Sequence, residues 1–376
     1  MIKLISDTID KEDINALCEW LQQEQTPQLT KGKLTQELEA RWAQQIGTDY
    51  AVFVNSGSSA LLLTLAAMKQ MGLGRKIVIP ALSWSTDLGS AMILDYEPIL
   101  CDCNFEDLSV SLEHLEFIFR TERPHALLLV SVLGLVPQMA ELEKLCARYD
   151  VTLIEDACES MGSKYRDKYL GSFGEASCFS MFFGHHVSTI EGGFINTNNP
   201  QLYNMLLMMR SHGWARDLNK QAQAKMAEEN NIDPFNEAYT FYVPGMNLRS
   251  TDLQAFLGMR AIDKLASFAG IREQNFRIML DMLGPKSQLN LRYDKEDFIS
   301  NFAFPYMVRD RERVVRALSA EVEARPLIAG NIAAHPMWEG RETYLPNAMQ
   351  VHKNGLYLPN HQDLTAQHMR RMKAIL

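Results

Sequence analysis

The chain has 376 residues, of which 47% are hydrophobic and 22% are charged, and its formal net charge at pH 7 is −9. This length is sufficient for a large and a small domain around a shared cleft, and the composition is ordinary for a globular protein. The negative charge argues against a general nucleic-acid binder or membrane-surface binder.

The N-terminal residues contain no basic stretch followed by an apolar core. No apolar run approaches the roughly 18 residues that a membrane span requires. The cysteines are scattered between Cys18 and Cys178, and without a secretion signal they are expected to be reduced thiols. The sequence therefore predicts a cytoplasmic protein that binds neither nucleic acid nor a membrane.

Strand-like runs alternate with helix-length amphipathic stretches in the first half of the chain. Strands are predicted over 50–57, 76–81, 97–103, 125–134 and 152–158, and helices over 59–72 and 138–150. Continuous apolar strands separated by helices indicate a mainly parallel sheet that is covered on both faces. Ligands of such sheets bind beyond the carboxyl ends of the strands, so polar residues at those ends are candidate site residues.

The pattern changes near residue 262. A long amphipathic helix is predicted over 263–283, followed by a strand over 302–308, a helix over 311–321 and a loop-rich tail. The polar stretch 218–240 is expected to be an exposed excursion. The sequence thus predicts a large domain over 1–262, which includes an N-terminal helical segment, and a small α+β domain over 263–376.

Two strand ends carry residues with the chemistry of a binding site. The first predicted strand runs into the Ser/Gly-rich turn 55–59, and a helix follows. Free N–H groups at a helix N-terminus favour a phosphate, although the same residues would also serve as a simple N-cap. Asp156 ends another apolar strand, where a carboxylate would either bind a ligand or cap a helix.

The segments 152–160 and 176–197 together resemble the cofactor-binding core of the sugar-nucleotide aminotransferases of the DegT/StrS type. The resemblance begins at 32–47, includes 245–258 and ends at 325–331, so separately placed motifs follow the family order over nearly the whole chain. It implies an α/β chain with the fold-type-I, aspartate aminotransferase-like architecture of pyridoxal-phosphate-dependent transferases. It also implies a homodimer with shared active sites.

The resemblance implies a set of cofactor-binding residues, which are Gly57, Ser58, Ser59, Trp84, Asp156, Glu159, Ser180 and Asn247. The first three and Ser180 would hold the phosphate, and Trp84 would stack on the pyridine ring. Asp156 would pair with the pyridinium nitrogen, and Glu159 would lie near the ring hydroxyl. Asn247 would reach the phosphate from the neighbouring subunit. Taken singly, a tryptophan after a strand is more often a core residue, and an asparagine in a turn is usually structural.

His185 occupies the place of the lysine that anchors the cofactor covalently in this family, counting back from Glu191. Imidazole cannot form that bond, so pyridoxal 5'-phosphate or pyridoxamine 5'-phosphate would be held non-covalently. A histidine with an ordinary pKa near 6.5 is a suitable base at neutral pH. The resemblance is to a dehydratase branch with the same replacement, and it implies that His185 is catalytic. We interpret the adjoining His186 as structural.

The implied reaction is loss of the C3 hydroxyl from a nucleotide-linked 4-keto-6-deoxy sugar, with L-glutamate restoring the amine form of the cofactor. The sequence does not identify the nucleotide base, and GDP-4-keto-6-deoxymannose is the first substrate to consider. Deoxysugar biosynthesis for a lipopolysaccharide O-antigen is a family-level expectation. Two alternatives stay open: an aminotransferase that works without the lysine, and a non-catalytic nucleotide-sugar-binding homologue.

No metal centre is expected. A sister branch with the same histidine binds a two-iron cluster through four cysteines that lie mostly downstream, but no cysteine follows Cys178 in this chain. An Fe–S cluster is therefore not predicted. Cys101 and Cys103 have no second cysteine pair to complete a zinc site.

The candidate substrate-binding residues are His212, Arg216, Arg249 and Arg325. The arginine fork of donors is suited to a diphosphate, and at least one of these arginines is expected to contact the nucleotide diphosphate or the sugar. Each of them could equally form a surface ion pair.

Overall fold

Residues 1–23, 25, 27–341 and 343–376 are described in a computed structural model of the chain, in which helices surround a seven-stranded sheet. The helices α1 to α12 are Lys11–Leu21, Lys33–Ile46, Gly57–Gln70, Ser85–Ile93, Leu112–Glu122, Met139–Tyr149, Pro200–Arg210, Lys220–Glu229, Asp252–Leu283, Arg311–Leu318, Pro346–Asn354 and Ala366–Ile375. The strands β1 to β12 are Tyr50–Val54, Lys76–Pro80, Glu97–Cys101, Ala126–Val130, Thr152–Asp156, Lys164–Tyr165, Lys168–Tyr169, Ala176–Ser180, Gly193–Thr197, Ala303–Met307, Arg325–Pro326 and Gly355–Pro359.

The central sheet has the strand order β1-β9-β8-β5-β4-β2-β3. Strand β9 is antiparallel to both of its neighbours, whereas the pairs β8–β5, β5–β4, β4–β2 and β2–β3 are parallel. Strands β4 and β8 are buried along their whole length because both faces of the sheet are covered. The predicted mainly parallel sheet is confirmed, and its parallel strands bring their carboxyl ends to one edge.

The C-terminal part of the chain contains a second sheet with the order β10-β12-β11. Helix α9 leads into it and is longer than predicted, because a capping box starts it at Asp252: the Gln254 N–H donates to Thr251 Oγ1 at 3.2 Å. The helix runs on through residue 262. The domain division at 262 stays a prediction, and it would lie inside this helix.

The excursion expected over 218–240 contains the largely exposed helix α8, in which Ala227 is a buried residue. The N-terminal residues pack against the C-terminal part, since Ile2 bridges to Val322 and the Leu4 N–H donates to Glu323 Oε2 at 2.8 Å. Within the described ranges, no helix is both long and apolar enough to cross a membrane.

A buried charge cluster ties α2 to the end of α7. The Arg210 side chain is 1% exposed, forms ion pairs with Glu39 and Asp217, and donates to the Phe53 carbonyl at 2.9 Å. Lys31 adds a second cation at 2.9 Å from Asp217. Because Arg210 is the cation shared by the two carboxylates, it compensates their removal from water.

Replacing Arg210 with methionine should destabilise the protein by about 3–5 kcal/mol, because it leaves Glu39 and Asp217 buried with too little positive charge. Chemical denaturation of the variant and of the wild type measures this difference. Arg148→Met is the matched control, since Arg148 is 63% exposed in its pair with Glu116 and should change stability by less than about 1 kcal/mol. Equal stabilities of the Arg210 and Arg148 variants would contradict this assignment.

Candidate active site

A cavity of about 340 Å³ opens at the carboxyl edge of the central sheet. Residues at or just after the ends of β1, β2, β4, β5 and β8 line it, and they are Gly57, Ser58, Trp84, Val130, Asp156 and Ser180. This is the edge at which parallel sheets bind ligands. Five separate segments of the sequence therefore meet at one site.

The turn between β1 and α3 forms one wall of the cavity. Ser56 is the N-cap of α3, and its Oγ accepts from the Ser59 N–H at 3.0 Å. This arrangement leaves the N–H groups of Gly57 and Ser58 at the start of the helix, where a phosphate is favoured. Ser59 does not line the cavity among the described residues, so its part in the turn is through its bonds to Ser56.

Glycines allow the closest packing around this turn. A Cβ placed on Gly57 would lie 2.5 Å from the Ser180 Cβ, and one on Gly193 would lie 2.4 Å from the Ser56 carbonyl oxygen. Both distances are too short for any side chain. The second glycine of the Glu-Gly-Gly motif is thus required because β9 begins against the turn.

Two acids lie at and after the end of β5. Asp156 is 5% exposed, and one carboxylate oxygen accepts from the Cys158 N–H at 2.9 Å. Glu159 accepts from the Leu133 N–H at 2.8 Å, and burial raises the pKa of its carboxyl group to about 7. A carboxyl group with this pKa is present in both protonation states at neutral pH, so it can donate as well as accept a hydrogen bond.

Trp84 lies between β2 and α4, and its side chain is 55% exposed at the cavity. A core tryptophan would be buried, so the exposure argues against the alternative that Trp84 is simply a packing residue. Its ring offers a flat surface on which a planar ligand can stack.

His185 lies in the loop between β8 and β9 and lines the cavity. Its ring is 5.3 Å from the Phe302 ring, and no described residue hydrogen-bonds its buried Nδ1 atom. Removal from water and the nearby Arg272 cation lower the pKa of His185 to about 4. The imidazole is therefore neutral at physiological pH, which is the form that accepts a proton.

His186 points away from the cavity. Its side chain is fully buried, and Nε2 lies 2.8 Å from the Ser300 carbonyl oxygen. A carbonyl oxygen only accepts, so Nε2 carries the hydrogen. This bond ties the His185 loop to the C-terminal part of the chain and supports a structural role for His186.

Several predicted site residues lie elsewhere in the structure. Arg325 alone of the four substrate-binding candidates lines this cavity, within the part of the chain that the structure describes. Arg216 lies over the rings of Trp214 at 4.0 Å and Tyr239 at 4.5 Å. The Arg249 Nε donates to Asn247 Oδ1 at 3.1 Å.

We call the predicted residues outside the cavity other than Ser59, together with Trp214, the remote cluster: His212, Trp214, Arg216, Asn247 and Arg249. It is held together because the His212 and Trp214 rings are 5.1 Å apart and Arg249 lies 5.9 Å from the Trp214 ring. In a single subunit the remote cluster does not contribute to the cavity walls that the structure describes.

Sequence reasoning missed the cavity residues that come from distant parts of the chain. Ile5 from the N-terminal segment and Phe302, Ile328 and Tyr357 from the C-terminal part all line the cavity. Ile5, Phe302 and Tyr357 belong to none of the motifs, and Ile328 lies in the motif 325–331 but was not named as a site residue; only the packing of the two ends of the chain brings all four to the cavity. Cys158 could have been noted, because it lies between the two acids after β5.

The cavity fits a pyridoxal-type cofactor. The α3 N-terminus offers a phosphate site, the buried Asp156 offers a partner for a ring nitrogen, and Trp84 offers a stacking surface. No lysine is among the described residues that line the cavity, so the protein would hold the cofactor by non-covalent contacts alone.

The described residues contain no group of three or more His, Cys, Asp or Glu side chains arranged to hold a metal ion. The cysteines are free thiols, and Cys101 and Cys103 are buried. Burial raises the pKa of both thiols, which makes the metal-binding thiolate form less accessible.

Known proteins resemble this chain over most of its length. The chain is 32% identical over 349 residues to GDP-4-keto-6-deoxy-D-mannose 3-dehydratase of Escherichia coli O55:H7 (strain CB9615 / EPEC), covering 89% of each. It is 30% identical over 381 residues to the enzyme of the same name from Yersinia pseudotuberculosis, covering 97% of this chain and 95% of the relative.

Solved structures of such enzymes also resemble this chain. The E. coli GDP-4-keto-6-deoxy-D-mannose-3-dehydratase with bound hydrated PLP superposes with a TM-score of 0.90 at 29% identity, covering 100% of this chain and 99% of the other. A histidine-to-asparagine mutant of GDP-4-keto-6-deoxymannose-3-dehydratase with bound GDP-perosamine also gives 0.90 at 29% identity, with 100% coverage of both. The predicted aspartate aminotransferase-like fold is confirmed.

The sequence profile of the DegT/DnrJ/EryC1/StrS aminotransferase family matches residues 7–376. That match spans nearly the whole chain, and it includes every strand of the central sheet and every residue predicted for the site. The chain therefore belongs to the DegT/DnrJ/EryC1/StrS aminotransferase family.

Proposed function

We propose that this chain is a pyridoxamine-phosphate-dependent 3-dehydratase of a nucleotide-linked 4-keto-6-deoxy sugar, and that its substrate is GDP-4-keto-6-deoxymannose. The observation that carries the proposal is His185, a neutral imidazole at a cavity that has no lysine among its described lining residues. The two dehydratase relatives and the PLP-bound structure support the same reaction and cofactor.

The side chains divide the work by position. The α3 N-terminus and Ser180 would hold the phosphate, Trp84 would cover the ring, and Asp156 would keep the ring nitrogen protonated; all of these groups line the cavity. When bound, the cofactor supplies an amine for the keto group and a conjugated ring that withdraws electrons. His185 would accept a proton from the cofactor carbon that carries the amine, and the electron pair left behind would expel the C3 hydroxyl, which takes up a proton and leaves as water.

Arg325 is the proposed contact to the substrate within one subunit. It lies at the cavity, which Tyr357 also lines, and the two residues are paired across strands β11 and β12. The side chain is exposed and has no carboxylate within ion-pair distance among the described residues. A cation in this state is available for a diphosphate or for sugar oxygens.

We further propose that the enzyme is a cytoplasmic homodimer in which the remote cluster of one subunit completes the cavity of the other. Two arginines, a histidine and an asparagine with exposed aromatic neighbours suit a nucleotide diphosphate. These residues lie outside the cavity of their own subunit. Residues that complete the cavity of a neighbouring subunit would have to lie in such a position. Glutamate would use the same cavity to restore the amine form of the cofactor.

The test is a product assay with the purified full chain, pyridoxal phosphate, glutamate and GDP-4-keto-6-deoxymannose. We expect a keto sugar that has lost one oxygen, together with free ammonia, and no product when glutamate is omitted. Mass spectrometry and an ammonia assay measure both. A stable amino sugar would instead identify an aminotransferase, which the 27% identity to a GDP-perosamine synthase keeps as the second candidate. Cofactor binding without turnover of any sugar would indicate a binding protein.

A further inference from the structure

Asp87 is a buried acid that the proposed mechanism does not use. It lies in the first turn of α4, is 0% exposed, and does not belong to the described cavity lining. One carboxylate oxygen, Oδ2, accepts from the Trp84 N–H at 2.9 Å. The other oxygen, Oδ1, is buried. If the carboxyl group is ionised and can only accept hydrogen bonds, Oδ1 has no partner among the described residues.

The Asp87 carboxyl group lies within hydrogen-bonding reach of the Asp156 carboxyl group. The other titratable groups that face Asp87 are Glu159, Cys158 and Cys178. Each of these is an acid, and none is a cation. Two carboxylates in contact cannot both ionise in such a place, because each would be an uncompensated charge removed from water.

A single proton resolves this conflict. Protonated Asp87 would use its O–H to donate to Asp156, and Oδ2 would still accept from the Trp84 N–H. Burial, and next the adjacent Asp156 carboxylate, raise the pKa of Asp87 well above its ordinary value. Asp156 would keep its bond from the Cys158 N–H.

We propose that Asp87 and Asp156 share one proton, and that protonated Asp87 is a positioning residue which holds the Asp156 carboxylate toward the ring nitrogen of the cofactor. The second half of this proposal rests on the function proposed above, whereas the shared proton does not. Through its backbone bond, the same side chain also fixes the start of the helix that follows Trp84. Asp87 thus couples the partner of the ring nitrogen to the stacking residue.

The shared proton has a consequence for the cofactor-free protein. Because the pKa of Asp87 is raised on folding, the unfolded chain loses this proton first as the pH rises. The folded state then binds more protons than the unfolded state, so its stability falls between the ordinary pKa of an aspartate and the raised pKa of Asp87. Asparagine cannot ionise, and its amide can make both of the hydrogen bonds.

The first experiment compares the Tm of the cofactor-free wild type and of Asp87→Asn from about pH 5 to about pH 8.5. We expect the variant to be the more stable protein at high pH, by about 2–4 °C, and the gap to narrow as the pH falls. The acids Asp156, Glu159, Cys158 and Cys178 are common to both proteins, so the difference reports on the pair of Asp87 and Asp156. Parallel curves for the two proteins would overturn the shared proton.

The second experiment measures the affinity for pyridoxal phosphate by fluorescence titration for the wild type, Asp87→Asn and Asp87→Leu. Asparagine should bind within about threefold of the wild type, whereas leucine, which has no donor, should bind at least about tenfold more weakly. Equal affinities of the Asn and Leu variants would overturn the positioning role. If even the wild type does not bind pyridoxal phosphate, the proposed function is wrong. The comparison of Tm values would still show whether Asp87 and Asp156 share a proton. If Asp87→Leu does not fold, the pH dependence of cofactor affinity decides the question. The proposal is supported if the affinity of the wild type falls at high pH and that of Asp87→Asn does not. It is contradicted if the two proteins have identical pH profiles.

Discussion

Replacing His185 with asparagine should lower the rate of sugar dehydration by about 10²–10⁴-fold, which is the usual contribution of a positioned general base. Asparagine has a similar size but cannot accept a proton near neutral pH. The contacts proposed for the cofactor come from other residues, so the affinity for pyridoxal phosphate should change little. Turnover of GDP-4-keto-6-deoxymannose and a binding titration with pyridoxal phosphate measure the two effects separately.

His368→Asn is the matched control for this change, because His368 lies in α12 and is not part of the described cavity lining. It should leave both turnover and cofactor affinity close to those of the wild type. Full activity of His185→Asn would show that another group removes the proton. A parallel loss of cofactor affinity would show instead that His185 serves mainly to shape the site.

Replacing Asp156 with alanine should weaken the binding of pyridoxal phosphate by about 100–4,000-fold and remove most of the activity. The loss of one member of a buried, hydrogen-bonded charge pair costs about 3–5 kcal/mol, and each 1.4 kcal/mol corresponds to about tenfold in affinity. Asp156 is nearly fully buried at the cavity, so solvent cannot replace its charge. Fluorescence titration of the cofactor-free protein measures the change.

Asp167→Ala provides the comparison for Asp156. Asp167 lies between β6 and β7, is exposed, and is not among the described residues that line the cavity. Its removal should not alter cofactor binding. If Asp156→Ala bound pyridoxal phosphate as tightly as Asp167→Ala, Asp156 would not be the partner of the ring nitrogen.

Short motifs carried the predictions that the structure brings together at the cavity. The turn at 55–59, the acid that ends β5 and the spacing from His185 to Glu191 are each contiguous in the sequence. Such segments keep their local geometry, because strand ends and helix caps depend on neighbouring residues. The position of the missing lysine could therefore be found by counting residues back from Glu191.

Inferences that depended on a boundary were weaker. The long helix was expected to begin at residue 263, but it begins at Asp252. The capping box at Thr251 and Gln254 was available in the sequence. It lies inside the motif 245–258, in which the same residues carry both the start of the helix and the family resemblance.

The sequence by itself determined the family, the mainly parallel sheet and the replacement of the lysine by His185, because each follows from residue types at short spacing. Only the tertiary structure decided which residues share a cavity. It brought Arg325 and Phe302 to the sheet edge, left Arg216 and Arg249 outside it, and placed Asp87 against Asp156. These relations join residues far apart in the chain, and the protonation of a buried acid depends on every group packed around it, which no local pattern records.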